Sequence, residues 1–275
     1  MKYAVYSMIA LAVSVFCGTV LMKAITKKNN SGKGKRILLA AVLSVLIFTT
    51  GFLIYLLPYQ KAEDTPALLM QETAAVEVIE EKHGKTSDIA CKAPEKSNTA
   101  IIFYPGAKVD PYAYVTLATE LAENGIDIYI IKMPFHMAVF QKNAADGILE
   151  DVHYDHIYLA GHSLGGTMAA QYASERDSVE GVILLASYPT KPLNASQRLL
   201  SVAGDNDGCL EWDVYENKKE NWPKDSTEVL LKGGNHAQFG TYGKQRGDNE
   251  ALITTEEQID QTVKAILQFL HQTGE

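Results

Sequence analysis

The sequence is poor in the residues that build disulfide frameworks and zinc centres. It has three cysteines in 275 residues, and Cys17 lies in an apolar run, so Cys91 and Cys209 are the one plausible disulfide pair. They are far apart with no motif between them. Because buried free cysteine is the commoner state, we expect free thiols, with a bridge as the alternative. No Cys/His group has zinc-site spacing, and we expect neither a metal nor a cofactor.

Acidic residues are absent from the start of the chain. Residues 1–61 hold eight Lys or Arg and no Asp or Glu, whereas the remainder is strongly acidic and the whole chain carries a net charge of −8. This asymmetry separates two physical environments along one chain. The acidic part lacks the clustered Lys and Arg that neutralise phosphates, which excludes nucleic acid as a partner.

Two long apolar runs fill the segment without acidic residues. Residues 3–25 contain one interior charge, Lys23, and residues 37–59 contain none. Each run exceeds the roughly 20 helical residues that cross a bilayer. The basic loop between them joins two antiparallel helices and stays in the cytoplasm by the positive-inside rule. We therefore predict a transmembrane helical hairpin over residues 1–60 in the cell membrane, with the remaining chain on the extracytoplasmic side.

Two other interpretations of these runs remain open. The first run could be a cleaved signal peptide, although no small-residue cleavage site precedes the basic loop. Both runs could be buried helices of a soluble protein, although runs this long and uncharged seldom are. Residues 61–73 are polar and contain Pro66, so we expect a tether that leads to a domain over residues 74–275.

From residue 74 onward, short apolar strands alternate with helical segments. This alternation predicts an α/β fold, with a mostly parallel sheet and helices on both faces. Residues 76–81 and 88–92 are predicted to open the domain as an antiparallel pair, and residues 137–149 are predicted to form one helix. Ligands bind such sheets at the carboxyl ends of the strands, where we look for reactive residues.

The sequence Gly161-His162-Ser163-Leu164-Gly165 fits the G-x-S-x-G nucleophile elbow. A predicted strand enters this motif and a predicted helix, rich in small residues, leaves it. The glycines allow the tight turn on which the serine sits in a strained backbone conformation. Strand, elbow and helix together predict that Ser163 is a catalytic nucleophile, against the alternative of a glycine-rich structural turn.

A serine nucleophile needs a base and an acid, which follow it in the chain order Ser, acid, His. His236 comes directly after the last predicted strand, in a loop that can reach Ser163, and is the predicted base. Asp205 and Asp207 follow the preceding predicted strand. We favour Asp207, because a few loop residues usually separate the strand end from the acid. Asp205 is the alternative, with turn capping as its other role.

An oxyanion hole needs two backbone N–H groups. One is predicted to be that of Leu164, immediately after the nucleophile. The other is expected in the loop Pro105-Gly106-Ala107-Lys108, where we choose Ala107. An ordinary strand–helix turn is the alternative role of this loop.

Residues 75–272 resemble the α/β-hydrolase superfamily. The resemblance rests on Phe103-Tyr104-Pro105-Gly106, on the elbow and on Gly233-Gly234-Asn235-His236. Within the superfamily, the chain is similar to the small bacterial hydrolases of the dienelactone-hydrolase branch. It implies an eight-stranded sheet and acyl-enzyme chemistry without a cofactor. The membrane hairpin lies outside it. Only residues 187–197 are available for the helical cap of many relatives, so we expect an open site.

These patterns predict a membrane-anchored serine hydrolase that acts on a small-molecule ester or related acyl bond. The same triad serves thioesterases, amidases and peptidases, and the fold does not choose among them. A non-catalytic binding module on the same scaffold, or a membrane protein that only displays a surface, is the rival from another class.

Overall fold

The computed structural model describes residues 15, 18–20, 23, 32–63 and 76–272. The chain divides into two compact units, Met1–Pro58 and Tyr59–Glu275. In the first unit, helix α1 (Lys33–Leu56) covers most of the second apolar run. Within the described ranges it is the one helix long and apolar enough to cross a membrane, over Ile37–Leu56 with a mean hydropathy of 2.6. The first predicted span falls almost entirely outside the described residues, so the hairpin stays a prediction.

The second unit is built on an eight-stranded sheet in the order β1-β2-β4-β3-β5-β6-β7-β8. The strands are β1 (Glu77–His83), β2 (Thr86–Lys92), β3 (Thr99–Tyr104), β4 (Asp127–Ile131), β5 (His156–His162), β6 (Gly181–Leu185), β7 (Arg198–Gly204) and β8 (Ser226–Leu231). β2 pairs with β1 and with β4 antiparallel, and all other neighbours are parallel. The predicted eight-stranded, mostly parallel sheet is confirmed.

Helices cover both faces of this sheet. They are α2 (Val115–Glu123), α3 (Ala145–Asp151), α4 (Leu164–Ala173), α5 (Trp212–Lys218) and α6 (Thr255–His271). On one face of the sheet, apolar side chains of α2 and α6 form a buried cluster with the strands. On the opposite face, those of α3 and α4 form a second cluster. The central strands are apolar on both sides because both faces are covered. The core therefore has two layers, with the sheet between them.

The helix predicted over residues 137–149 is wrong. A short 3-10 turn, Ala138–Phe140, occupies its first part, another such turn, Pro134–His136, precedes it, and only α3 is α-helical. Within the predicted range, Met137 (φ −137°, ψ 112°) and Gln141 (φ −149°, ψ 57°) have non-helical backbone angles, so a continuous helix cannot form there. The His136 carbonyl instead accepts a hydrogen bond from Lys108 N–H (2.6 Å). Tertiary hydrogen bonding thus overrides the local apolar spacing.

Candidate active site

Ser163 stands between β5 and α4 in a strained backbone conformation. Its φ of +52° and ψ of −127° are rare for a residue with a side chain. Gly165 makes this sharp turn possible, because a Cβ there would collide with the carbonyl oxygens of Tyr104 and Pro105. The Ser163 N–H donates to the Leu185 carbonyl (2.9 Å), which fixes the turn to the neighbouring strand. The chain therefore holds Ser163 at the carboxyl edge of the sheet.

Asp207 lies in the loop after β7 and is buried. Its Oδ1 accepts hydrogen bonds from the N–H groups of Cys209 and Leu210, both at 2.7 Å. Its Oδ2 lies 2.7 Å from Nδ1 of His236. Asp205 instead accepts the Gly233 N–H (2.6 Å) from the loop after β8. Of the two candidate acids, Asp207 is the one in contact with the histidine.

His236 is held in place by the backbone around it. Asn235 exchanges two hydrogen bonds with Gln258 of α6, its N–H donating to Oε1 (2.9 Å) and its carbonyl accepting from Nε2 (2.8 Å). Asp248 accepts the N–H of Ala237 on one oxygen (2.8 Å) and that of Gly208 on the other (2.9 Å), so it links the histidine loop to the acid loop. With Nδ1 donating to Asp207, the other ring nitrogen of His236 is left to accept a proton.

Ser163 and His236 make no hydrogen bond to each other. His162, which precedes the serine, places its ring 4.6 Å from that of His236, so the two loops meet at the same edge of the sheet. Catalytic hydrogen bonds are often long in structures without substrate and tighten when it binds. The arrangement brings the acid and the base into contact and sets the serine beside them.

His162 is the residue directly before Ser163 in the elbow. It is buried, and its Nδ1 lies 2.9 Å from the Tyr114 hydroxyl, which also accepts the Gly106 N–H (3.0 Å). Burial, and then the neighbouring His236, holds the pKa of His162 well below its usual range, against a backbone interaction with His236 that raises it. His162 therefore connects the loop after β3 to the histidine loop as a neutral ring. No local sequence signal marks Tyr114 as its partner, 48 residues away in the chain.

The N–H groups predicted for an oxyanion hole come from two different loops. Leu164 is the first residue of α4, and N–H groups at a helix start have no acceptor within the helix. In the loop after β3, the Gly106 N–H is already used by Tyr114, whereas the Ala107 N–H donates to no acceptor in the described part of the chain. The two predicted donors therefore remain available to a ligand.

The site has no helical cap from the connection between β6 and β7. Residues 186–197 form turns and extended chain without a helix. Ser187 in this connection donates its hydroxyl to the Ser163 carbonyl (2.7 Å), so the segment supports the elbow. Ser163 itself stays partly exposed.

A segment that we call the strap, residues 59–63, runs along the loops of this edge. Gln60 pairs with Val109 in a parallel bridge, donating its N–H to the Lys108 carbonyl (2.7 Å) and accepting the Asp110 N–H (2.8 Å). The Glu63 N–H donates to the Thr241 carbonyl (2.8 Å) in the loop beyond His236. The strap therefore ties together the loops that follow β3 and β8.

An exposed apolar patch lies in the loop after β4. It consists of Phe135, Val139 and Phe140, which are 46%, 45% and 46% exposed, respectively. The two phenylalanine rings meet edge to face with centroids 5.7 Å apart. Since β4 is parallel to β3, this loop and the loop that holds Ala107 leave the sheet at the same edge. Large side chains with this exposure are available to an apolar ligand or surface.

Cys91 and Cys209 are free thiols, in keeping with the expectation. Burial raises the pKa of Cys91 to about 12 and that of Cys209 to about 11. Both thiols therefore stay protonated at neutral pH and are poor nucleophiles.

A model of the alpha/beta hydrolase family matches residues 100–260. No curated protein matches the chain. Among solved structures, a monoacylglycerol lipase from Paleococcus ferrophilus is 15% identical with a TM-score of 0.53, covering 67% of this chain and 99% of its own. The esterase Est2 from Thermogutta terrifontis is 17% identical with a TM-score of 0.50 (74% and 96% covered). A bacterial membrane phospholipase A is 14% identical with a TM-score of 0.55 (86% and 96%). At these identities the likeness concerns the fold.

Proposed function

The chain belongs to the alpha/beta hydrolase family, and on that basis we propose that it is a membrane-anchored serine hydrolase that cleaves carboxylic esters. The observation that carries the proposal is the contact between Asp207 Oδ2 and His236 Nδ1 (2.7 Å), beside the strained turn of Ser163. A buried carboxylate on one imidazole nitrogen leaves the other free to act as a base. We also propose that the chain belongs to the dienelactone-hydrolase branch of this family.

The mechanism is acyl transfer to water. His236 takes the proton of Ser163 as its oxygen attacks the ester carbonyl, and Asp207 holds the imidazole and stabilises the imidazolium. The N–H groups of Leu164 and Ala107 stabilise the oxyanion. His236 returns the proton to the leaving alcohol, and an acyl-enzyme forms. Water activated by His236 then hydrolyses this intermediate and frees the serine.

We favour a lipid ester as the substrate. The apolar patch offers large exposed side chains at the edge of the sheet where the site lies. The strap that borders the site begins three residues after Leu56, the end of α1. Two of the similar structures are named as a monoacylglycerol lipase and a membrane phospholipase A, which is consistent with such a substrate. Thioesters, amides and peptides remain alternatives because the same triad cleaves them.

The membrane anchor in this proposal is α1, together with the first apolar run as its antiparallel partner. Large apolar side chains of α1, such as Ile37, Leu46 and Ile54, are exposed rather than packed in a core. A helix that is apolar and exposed along its length suits a bilayer. The basic residues between the two runs assign the hydrolase unit to the extracytoplasmic side.

The test is labelling of the full-length protein in detergent with a fluorophosphonate probe, followed by mass mapping. We expect modification at Ser163 that is lost in Ser163→Ala and falls by at least 1,000-fold in rate in His236→Ala. The control is His156→Ala, which removes a partly exposed histidine of β5 that pairs with Glu180 (2.7 Å). This variant should label normally. A folded protein that does not label would instead favour the non-catalytic binding module.

A further inference from the structure

The β1–β2 hairpin places three metal-binding side chains on one face. Glu81 pairs directly with Asp88 across the two strands, and His83 lies two residues beyond Glu81. Directly paired residues, and residues two apart on a strand, point to the same side of a sheet. One ligand atom from each of the three lies within 4.8 Å of the others. The distances from His83 Nε2 are 3.4 Å to Glu81 Oε2 and 4.0 Å to Asp88 Oδ1.

Asp88 is the observation that calls for a ligand. Its side chain is fully buried, and neither carboxylate oxygen has a hydrogen-bond partner among the described residues. A buried carboxylate without a partner is costly, and burial raises the pKa of Asp88 to about 6. Glu81 raises this pKa further, whereas His83, Lys92 and Lys132 lower it. The carboxylate is thus directed at His83 with no donor close enough to satisfy it.

His83 is oriented in the manner of a metal-bound histidine. Its Nδ1 lies 3.0 Å from Asp151 Oδ2 at the end of α3, so this nitrogen donates to a carboxylate and Nε2 faces Glu81 and Asp88. A carboxylate behind the ring fixes the tautomer in many zinc sites and makes the histidine a better ligand. Gly147 allows α3 to approach the hairpin closely enough for this contact, because a Cβ at this position would collide with the His83 carbonyl.

We propose that Glu81, His83 and Asp88 bind a divalent transition-metal cation of the Zn²⁺ class, with water as the remaining ligand. At metal–ligand distances of about 2.0–2.2 Å, tetrahedral ligand atoms lie about 3.3 Å apart. The observed spacing therefore has to close by about 1.5 Å or less between any two ligand atoms. The cation gives Asp88 its missing partner and takes the place of Lys92, which lies 3.7 Å from Glu81 Oε2.

The site is structural, since it lies on the two antiparallel strands at one end of the sheet and not among the loops that hold Ser163. A cation there joins both strands of the hairpin and, through Asp151, the end of α3. A ligand that binds only the folded state stabilises it by mass action. We therefore expect Zn²⁺ to raise the thermal midpoint of the full-length protein.

The experiment is equilibrium dialysis of the full-length protein, in detergent and without a polyhistidine tag, against Zn²⁺ at pH 7.5. We expect one bound equivalent in the wild type, with the affinity at least 10-fold lower in His83→Gln, Asp88→Asn and Asp151→Asn. His156→Gln is the matched control, because His156 also faces a carboxylate but lies outside the cluster. It should bind as the wild type does. Millimolar Mg²⁺ and Ca²⁺ should not displace the metal, because imidazole favours zinc.

Binding of Co²⁺ provides a second readout that does not depend on the stability of the variants. The wild type is expected to show intense visible absorption from a four-coordinate site, and Asp88→Asn should lose it. Two results overturn the proposal: no bound Zn²⁺ in the wild type, or equal binding by the wild type and Asp88→Asn. Either would mean that the side chains of the cluster contact one another without a metal. Labelling of Ser163 is a separate measurement, so neither result bears on the proposed hydrolase activity.

Discussion

Two aspartates two residues apart have different partners, and this difference can be tested. Asp207 contacts His236, whereas Asp205 accepts a hydrogen bond from the Gly233 N–H. We expect Asp207→Asn to lower kcat/KM for a soluble ester by about 10³–10⁴-fold, because the amide favours the wrong imidazole tautomer. Asp205→Asn is the matched control and should stay within a few-fold of the wild type.

The reverse ranking in that assay would move the acid role to Asp205. Thermal midpoints of the two variants show whether a loss of activity comes from the fold. The Asp207 carboxylate also caps the N–H groups of Cys209 and Leu210, so some loss of stability is expected with Asp207→Asn.

His162 should make the stability of the protein depend on pH. The pKa of this buried ring is depressed in the folded state, so the unfolded chain binds the proton first as the pH falls. Stability is then fully present above about pH 6.5 and is lost as the pH falls below it, by at most about 1.4 kcal/mol per pH unit for this group. Tyr114, His236 and Tyr242 surround the ring.

The measurement is the urea midpoint of the wild type and of His162→Asn at pH 7 and pH 5. Asparagine keeps an acceptor for the Tyr114 hydroxyl but does not titrate, so we expect a smaller loss of stability at pH 5. Part of the dependence of stability on pH should remain, because burial also lowers the pKa of His136. If His162→Asn lost as much stability between pH 7 and pH 5 as the wild type, protonation of the His162 ring would not be the cause of that loss.

At the scale of elements, the loop after β4 offers a test of the proposed lipid substrate. Phe135 and Phe140 are exposed, and their contact with each other does not anchor the loop in the core. We expect the pair of substitutions Phe135→Ser and Phe140→Ser to lower hydrolysis of long-chain esters in vesicles by 10-fold or more. Hydrolysis of a short, soluble ester should be nearly unchanged, because the patch contributes contact with an apolar surface.

A matched control for this patch is Leu252→Ser, since Leu252 is the most exposed large apolar residue of the described ranges and lies outside the loop after β4. Equal losses on the long and the short ester in the double variant would count against a lipid substrate. The ratio of the two rates is the decisive quantity, because it is insensitive to the amount of folded protein.

The elements that the sequence predicted well are those fixed by local chemistry. The apolar runs of β3 and β5 and the elbow at Ser163 follow from strand period and glycine placement within a few residues. Each of these features is encoded within a short stretch of chain.

The elements that were missed depend on contacts between distant segments. The segment over residues 137–149 was predicted to be one helix, yet Gln141 has non-helical backbone angles and the preceding His136 carbonyl accepts a hydrogen bond from Lys108. The links made by Asp248, Gln258 and Tyr114 join segments that no local pattern relates. Helix α5 was not predicted because its seven residues are mostly polar and lack a clear apolar period.

For the whole molecule, the testable question is on which side of the membrane the hydrolase unit lies. We expect a tag at the C-terminus to be digested by protease in spheroplasts without detergent, because the basic loop between the two apolar runs stays in the cytoplasm. A cytoplasmic protein carrying the same tag is the control and should be protected until detergent is added. Protection of the tagged hydrolase in intact spheroplasts would place it in the cytoplasm and contradict the positive-inside assignment.

The strap has a consequence for how the enzyme finds its substrate. Gln60 is bonded beside the loop of Ala107 and lies four residues beyond Leu56 in the chain. If α1 lies in the bilayer as proposed, enzyme and lipid substrate meet by lateral diffusion in two dimensions. Turnover would then follow the mole fraction of substrate in the surface and not its bulk concentration. Diluting the substrate with an inert lipid would slow the reaction, whereas adding buffer would not.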